Sequence, residues 1–399
     1  MADFGSTDAE AFRAEARDWL TANFPTSLVG VEVAMINATG PVEGDALLWK
    51  QRVGEKGWGT PTWPKEYGGG GLTPAQARIL QQEMNRIGAR NPIGGMGIMM
   101  FGPTLLEYGS EEQKQRHIPP ICRGEIRWCQ GYSEPGAGSD LAALQTRADD
   151  MGDHFLVNGQ KVWTSGAQYA DWCFCLVRTD FTTKHEGISF VLFDMKTPGV
   201  EVRPIKLISG VSPFCETFLT DVKVPKENLV GPLNGGWTIG KRLLQHERNS
   251  LSGGGGSAGR FAAGTPLDKL AKTYVGVDES GRIADPDLRS RIIRHQMEAK
   301  AFMLTLMRAQ AEAKGGGGPS NATSIMKNVG SKVGQERAEL AVEIMGAQGL
   351  GWEGEGFTDK ELEQTRNWLG GKATTIYGGS AEIQNNIIAK RILGLLDHQ

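Results

Sequence analysis

Residues 131–140 read GYSEPGAGSD and, one hairpin later, residues 158–172 read NGQKVWTSGAQYADW. Glycines and small hydroxyls in the first let a backbone approach a flat heterocycle and offer it hydrogen bonds, while Trp163 in the second is flat enough to cover a ring. Singly, each segment reads equally well as a Gly-rich turn or a core tryptophan. Together, in this order and separation, they predict a flavin platform carried on β structure.

The pattern around the platform agrees. Residues 128–231 hold short runs rich in Val, Phe, Trp and Thr, namely HFLVNGQKVW, GISFVLFDM, VEVRPIKLI and TFLTDVKV, bounded by Gly, Asn and Pro as antiparallel strands are. Upstream, EAFRAEARDWLTANF, ALLWKQRVGEKG and PAQARILQQEMNRIGA carry apolar residues three and four apart, the spacing of one helix face. Downstream, WTIGKRLLQHERN, SRIIRHQMEAKAFMLTLMRAQAEAK, IMKNVGSKVGQERAELAVEIMGA and EIQNNIIAKRILGLL return to that spacing. The expectation is an α+β chain: an N-terminal all-α domain over 1–127, a central antiparallel β-barrel or sheet over 128–236, and a C-terminal four-helix bundle over 237–399. Tetraglycine runs at 253–256 and 315–318 interrupt the last part, because glycine weakens a helix.

At 399 residues the chain exceeds what one hydrophobic core supports, so two or three packed units are expected. A net charge of −3 with both signs dispersed provides neither a basic stripe for nucleic acid nor a polybasic patch for membranes, and favours small-molecule chemistry. The acidic start MADFGSTDAE lacks a secretory pattern and no apolar run approaches a membrane span, which predicts a soluble, cytoplasmic protein. Five cysteines without a C-x-x-C pair indicate reduced thiols, and WCFCLV puts Cys173 and Cys175 on one strand face as small core residues. The six histidines show no ligand spacing, so no metal is expected. The N-x-T triplets at Asn37 and Asn321 read as chance matches.

Three familiar patterns are discounted. GGWTIGK at 235–241 has the spacing of a phosphate loop, but Arg242 replaces the residue that should hold magnesium. G-x-S-x-G at 255–259 lacks the preceding hydrophobic strand of a nucleophile elbow. Ser324 and Lys327 form S-x-x-K without its companion motifs and read as helix surface. Glu247 stands apart: on a helix from Trp237 to Arg248 it shares the apolar face of Gly240, Leu243 and Leu244, where burial raises a carboxyl pKa toward general-base range. Periodicity alone equally admits a frayed helix end with Glu247 and Arg248 solvated. In TTIYGGSAEIQNN, Ser380 is a candidate N-cap and Glu382 suits the positive helix end. Exposed N–H groups there could hold an oxygen anion or thioester carbonyl, or simply belong to an ordinary capped helix.

With these regions assembled, nearly the whole chain resembles the acyl-CoA dehydrogenase family. SEPGAGSD and IYGGSAEIQ are similar to its two signature regions, and GWGTPTWPKEYGGGGL and DVKVPKENLVG to its connecting segments. The resemblance implies FAD as cofactor, an acyl-CoA substrate and an electron-transfer flavoprotein as electron acceptor. It puts Gln130, Tyr132, Ser133, Gly138, Ser139, Trp163, Thr164, Ser165, Ser380 and Glu382 at the flavin, and Ser139, Gln245, Arg248, Gly378 and Gly379 at the substrate. The implied reaction is α,β-dehydrogenation to a trans-2-enoyl-CoA, with a carboxylate taking the α-proton and the β-hydrogen leaving as hydride to flavin N5.

Two departures qualify the resemblance. The family's usual base directly follows the tyrosine of the terminal motif, where this chain has Gly378, while Glu247 matches the position used by members such as isovaleryl-CoA dehydrogenase. Glu247 is therefore the expected catalytic residue, with the Gly378 N–H retained to hold the thioester oxygen as an oxyanion hole does. Second, the R-x-x-F-G segment that meets a neighbour's cofactor is not recognisable after Arg260, and Q-x-x-G-G becomes EIMGA at 343–347, an acid where an amide would meet phosphate. This points to an oligomer, either of one chain or with a related subunit, in line with a resemblance to the large subunit of pimeloyl-CoA dehydrogenase through WTSGAQYADWCFCLVRTD. The alternatives are a catalytically silent structural subunit and a flavin monooxygenase or desulfinase of the same fold.

Overall fold

The computed structural model describes residues 7–29, 42–252, 265–314 and 322–396; both tetraglycine runs, the G-x-S-x-G stretch, Asn37, Asn321 and Arg260 lie outside them. The chain divides into two compact units, Met1–Ile205 with Pro213–Glu247, and Lys206–Ser212 with Arg248–Gln399.

In the first unit, helices α1 (Thr7–Asn23), α2 (Gly44–Glu55), α3 (Pro74–Arg86), α4 (Gly102–Tyr108) and α5 (Glu111–Cys122) precede the sheet. Capping boxes start α3 at Thr73 and Gln76 and α5 at Ser110 and Gln113, satisfying N–H groups that a helix cannot pair internally. Phe12, Ala16 and Leu20, four residues apart, form the buried stripe of α1 and pack with Trp49, Val53, Ile79, Leu80 and Met84. Each of the larger of these side chains contributes roughly 1.5–3 kcal/mol by leaving water. A buried carboxylate, Glu83, joins α3 to α1 through Arg13 and Arg17 at 2.9 and 2.8 Å and also accepts from Arg86 at 2.8 Å.

The sheet comprises β1 (Trp128–Gly131), β2 (Arg147–Asp150), β3 (His154–Ser165), β4 (Trp172–Arg178), β5 (Ile188–Asp194), β6 (Val200–Ile205) and β7 (Phe214–Pro225). Strand order is β1-β4-β2-β3-β7-β6, with β5 on β4. It is mixed, not antiparallel throughout: β1 runs parallel to β4, with Cys129 opposite Cys173 and Gly131 opposite Cys175, and β2 touches β4 in parallel at Arg147 and Arg178. A parallel pair needs a crossover of a dozen or more residues, and the loop and β2–β3 hairpin between β1 and β4 supply it. This strand order leaves a curled sheet and does not by itself close the expected barrel.

Strand β4 is buried on both faces, so its sequence reads as a continuous apolar run. Cys173, Cys175 and Val177 join Phe155, Val157, Val191 and Phe193 on one side. Phe174 and Leu176 join Phe101, Trp128, Tyr132 and Phe190 on the other, with Ile239 and Leu243 of α6 (Gly236–Ser252). Helix α6 begins where a Cβ on Gly236 would lie 2.4 Å from the Ser189 carbonyl carbon and 2.6 Å from the Phe190 nitrogen. The glycine of GGWTIGK thus serves close backbone packing.

The second unit contains α7 (Leu267–Tyr274), α8 (Pro286–Lys314), α9 (Ala322–Met345), α10 (Asp359–Gly371) and α11 (Ala381–Ile387), the last running into a π turn, Ile388–Ile392. Among the described residues α9 is a hub that packs against α7, α8, α10 and α11. These contacts centre the unit on one helix and do not by themselves establish the expected four-helix bundle. Leu340, Ala341 and Ile344 of α9 meet Leu288 and Ile292 of α8 and Leu267 and Ala271 of α7. Among the described residues, no helix is long and apolar enough to cross a membrane.

Candidate active site

The predicted flavin loop begins where β1 has no room for a side chain: a Cβ on Gly131 would lie 2.9 Å from Cys175 Sγ and 3.0 Å from Cys173 Sγ. Tyr132 then turns inward against Phe174 and Phe190. Glu134 and Ala137 exchange backbone hydrogen bonds of 2.9 and 3.0 Å, closing SEPGA into a tight turn, and the Ser133 carbonyl accepts from Val162 N–H at 2.8 Å. Ser133 is thereby held beside Trp163. Gly138 and Ser139 are solvent-exposed on the following stretch.

Beneath the loop lies an ion pair that sequence reading missed. The Lys161 ammonium, 1% exposed, donates to Glu134 Oε1 at 2.8 Å and to the Tyr132 carbonyl at 3.2 Å; Glu134 is 8% exposed. The Glu134 carboxylate also accepts from Gln145 N–H at 2.6 Å and Thr146 N–H at 2.9 Å. Burial pushes this carboxyl pKa up, but the adjacent ammonium and the N–H donors more than reverse the effect, so it lies below the usual value. The available signal was phase: Lys161 falls on the inward positions of β3 with Phe155 and Val157. A second missed residue, buried Arg178, donates to the carbonyls of Ala142, Leu144, Thr183 and Lys184 at 2.6, 3.2, 2.9 and 3.0 Å, fastening the chain that follows GAGSD.

After Lys161 the pairing of β3 with β7 slips, and regular register resumes at Thr164 opposite Cys215. Trp163 occupies this bulge with φ +61°, a left-handed conformation costly for a non-glycine residue, and is 54% exposed. The bulge turns the indole out of the sheet, edge-on to Phe214 at 6.0 Å. Thr164 returns inward, and Ser165 pairs with Phe214. Among the described residues, Gln130 Nε2 and Thr164 Oγ1 are buried without a protein partner, and a Cβ on Gly136, Gly138 or Gly166 would meet nothing within 4 Å. Buried polar atoms are normally paired. An outward indole, open backbone and polar atoms lacking partners fit a flat, hydrogen-bonding group such as the isoalloxazine of FAD.

On α6, exposed Gln245 accepts from Arg242 at 3.0 Å, and Arg242 forks onto Glu107 of α4 at 2.8 and 2.7 Å. His246 lies 3.2 Å from the same carboxylate. The side chains of Glu247 and Arg248 are outside the described residues. Helix register sets position 247 two turns, about 10 Å, beyond Gly240. A Cβ at Gly240 would lie 3.2 Å from Leu176 and 3.5 Å from the Tyr132 hydroxyl.

The remaining predicted residues belong to the second unit. Gly378 and Gly379 have φ of +66° and +88°, conformations that favour glycine. Ser380 caps α11, accepting from Ile383 N–H at 3.4 Å, and exposed Glu382 has its pKa lowered by its own N–H and the Ser380 hydroxyl. Lys327 is not the free helix surface expected: it donates to the Thr374 carbonyl and to Ser331 Oγ at 3.4 Å, and lies 5.5 Å from the Tyr377 ring. Burial pushes its pKa down. A Cβ at Gly378 would lie 3.8 Å from Lys327 Cε. The position that usually carries the base thus neighbours a cation. Glu343 does not present a free acid either: Arg291 grips it through both oxygens at 2.5 and 2.6 Å, holding its pKa down.

Comparison with known proteins accords with this geometry. Residues 6–125, 129–222 and 234–393 match the N-terminal, middle and C-terminal domain profiles of acyl-CoA dehydrogenase. Acyl-CoA dehydrogenase IpdE1 of Mycolicibacterium smegmatis is 36% identical over 97% of this chain and 98% of its own length. Among solved structures, the Tcur3481-Tcur3483 steroid ACAD is 30% identical over the full length of both chains with a TM-score of 0.75. The ChsE4-ChsE5 complex from Mycobacterium tuberculosis is 31% identical over the full length of both, also at 0.75.

Proposed function

Since this chain belongs to the acyl-CoA dehydrogenase family of oxidoreductases, we propose that it holds FAD on the loop and bulge around Ser133 and Trp163 and dehydrogenates an acyl-CoA thioester to the trans-2-enoyl-CoA. The observations that carry the cofactor reading are the outward Trp163 and the Gln130 and Thr164 polar atoms that lack a partner among the described residues. When bound, FAD supplies the acceptor for the hydride that leaves the β-carbon. In this reading Glu247 takes the α-proton onto its carboxylate, and the Gly378 N–H steadies the thioester oxygen as negative charge develops. By the family resemblance, Gln130, Tyr132, Ser133, Gly138, Ser139, Trp163, Thr164 and Ser165 serve the cofactor, as do Ser380 and Glu382 of the terminal motif. Ser139, Gln245, Arg248 and Gly379 complete the substrate's surroundings, and an electron-transfer flavoprotein takes the electrons onward.

Similarity to a steroid ACAD supports a bulky, polycyclic acyl group as substrate. Similarity to two-component assemblies supports pairing with a related subunit. Two features of the second unit agree. Ile293, Met297, Leu304 and Met307 form an exposed apolar stripe on α8, suited to burial against another chain. Glu343 is already paired to Arg291, leaving no amide at that position to meet a neighbour's cofactor.

The test is to add straight-chain, branched and steroid acyl-CoA thioesters to the purified protein and follow bleaching of the flavin absorbance. Bleaching with bulky thioesters, with one FAD per pair of unlike subunits, is the expected result. A homo-oligomer carrying one FAD per chain would exclude the mixed assembly. A colourless protein that takes up no FAD would instead favour the structural-subunit reading, for which the glycine at 378 is the supporting observation.

A further inference from the structure

We propose that Glu134 and Lys161 are positioning residues whose buried ion pair sets the spacing between the two walls of the flavin platform, the Ser133 loop and the Trp163 bulge. The proposal rests on the flavin reading above and goes beyond it, to residues that make no contact with the cofactor themselves.

Burying two charges is costly, and apolar residues of similar volume often stabilise a fold as well or better, so stability does not account for this pair. Its connections do. Glu134 lies next to Ser133, and its carboxylate reaches across the loop base to Gln145 and Thr146 N–H. Lys161 occupies the last regular position of β3 before the slip, two residues before Trp163, and its ammonium reaches back to the Tyr132 carbonyl as well as to Glu134. One pair therefore anchors both ends of the loop and the near side of the bulge.

The bulge needs such an anchor. A tryptophan at φ +61° relaxes toward ordinary extended backbone unless its neighbours prevent it. Thr164, buried and registered to Cys215, holds the far side. On the near side the restraints are the Val162 N–H bond to the Ser133 carbonyl and the buried Lys161. Without the pair, loop and indole can drift apart while the surrounding sheet stays folded.

The experiment compares wild type, Lys161→Met and the neutral double variant Glu134→Gln/Lys161→Met, purified in their native assembly. FAD dissociation constant, visible circular dichroism of bound flavin and thermal midpoint are measured. Lys161→Met lowers the thermal midpoint, because it strands a buried carboxylate. The double variant regains part of the midpoint, since its amide oxygen accepts only one of the two N–H bonds that the carboxylate took, but its FAD affinity stays weakened about tenfold or more, the scale of losses when a supporting residue behind a ligand site is removed, together with an altered dichroism band. Wild-type affinity and dichroism in the double variant would overturn the proposal, reducing the pair to a structural ion pair. Should the double variant fail to fold, Glu134→Gln, equal in shape, decides by the same two readouts. A wild type that takes up no FAD overturns the flavin reading itself, and this proposal with it.

Discussion

The loop after β1 and the loop at Gly378 are both rich in glycine, yet they are held in opposite ways. The first is clamped from beneath by a buried carboxylate and ammonium that fix where its hydroxyls and the neighbouring indole stand. The second is exposed on two left-handed glycines, beside a half-buried lysine whose hydrogen bonds go to a carbonyl and a hydroxyl. A rigid, acid-anchored loop suits orientation of a cofactor. A loop without an acidic side chain at its tip suits presentation of backbone N–H groups, and in the proposed mechanism the base comes from another element.

The largest expected effect tests that division. Glu247→Gln retains flavin but loses at least ~10²-fold in turnover, the lower end of a positioned base's contribution, as measured by steady-state kinetics. Adding Gly378→Glu to that variant does not restore turnover, because a side chain at φ +66° strains the loop and the new carboxylate faces Lys327. Recovery of activity would show that the loop at Gly378 can supply the base in place of α6.

Next in size is the clamp itself. Lys161→Met destabilises the first unit by about 3–5 kcal/mol in chemical denaturation, the range for breaking a buried pair. A loss below 1 kcal/mol would mean that water or another cation already compensates Glu134. Acidification sharpens the same contrast. His117, buried between Trp128 and Trp172, has its pKa lowered to about 4 by burial, so the unfolded chain binds a proton that the folded chain resists. Stability is therefore lost as pH falls from about 6.5 toward 4, by up to about 3 kcal/mol. Hydrogen exchange should show α5 and β1 losing protection in that window before α9, and His117→Phe should remove most of the effect. The smallest change is Gly378→Ala, expected to cost about 1 kcal/mol for a left-handed alanine with adequate space around its Cβ. Thermal unfolding of that variant reads the strain directly.

Local signals were legible where local rules operate. Three- and four-residue spacing marked α1 and α3. Alternation marked β3 and β7, and Ser380 announced the cap it makes. The parallel β1–β4 pair was not legible, since a four-residue strand has too little pattern and its partner is apolar on both faces. Lys327 looked like surface because nothing in its own helix reveals that Thr374 and Tyr377 fold over it.

By itself the sequence determined the order of helices and strands, the family, and which loops carry the glycines and hydroxyls, because periodicity, capping and turn chemistry act within a few residues. Only the tertiary structure decided that β1 and β4 run parallel, that Trp163 turns outward and that an acid and a lysine 27 positions apart share one buried site. Those features depend on contacts between distant segments, and the energy of such contacts leaves no repeating mark along the chain.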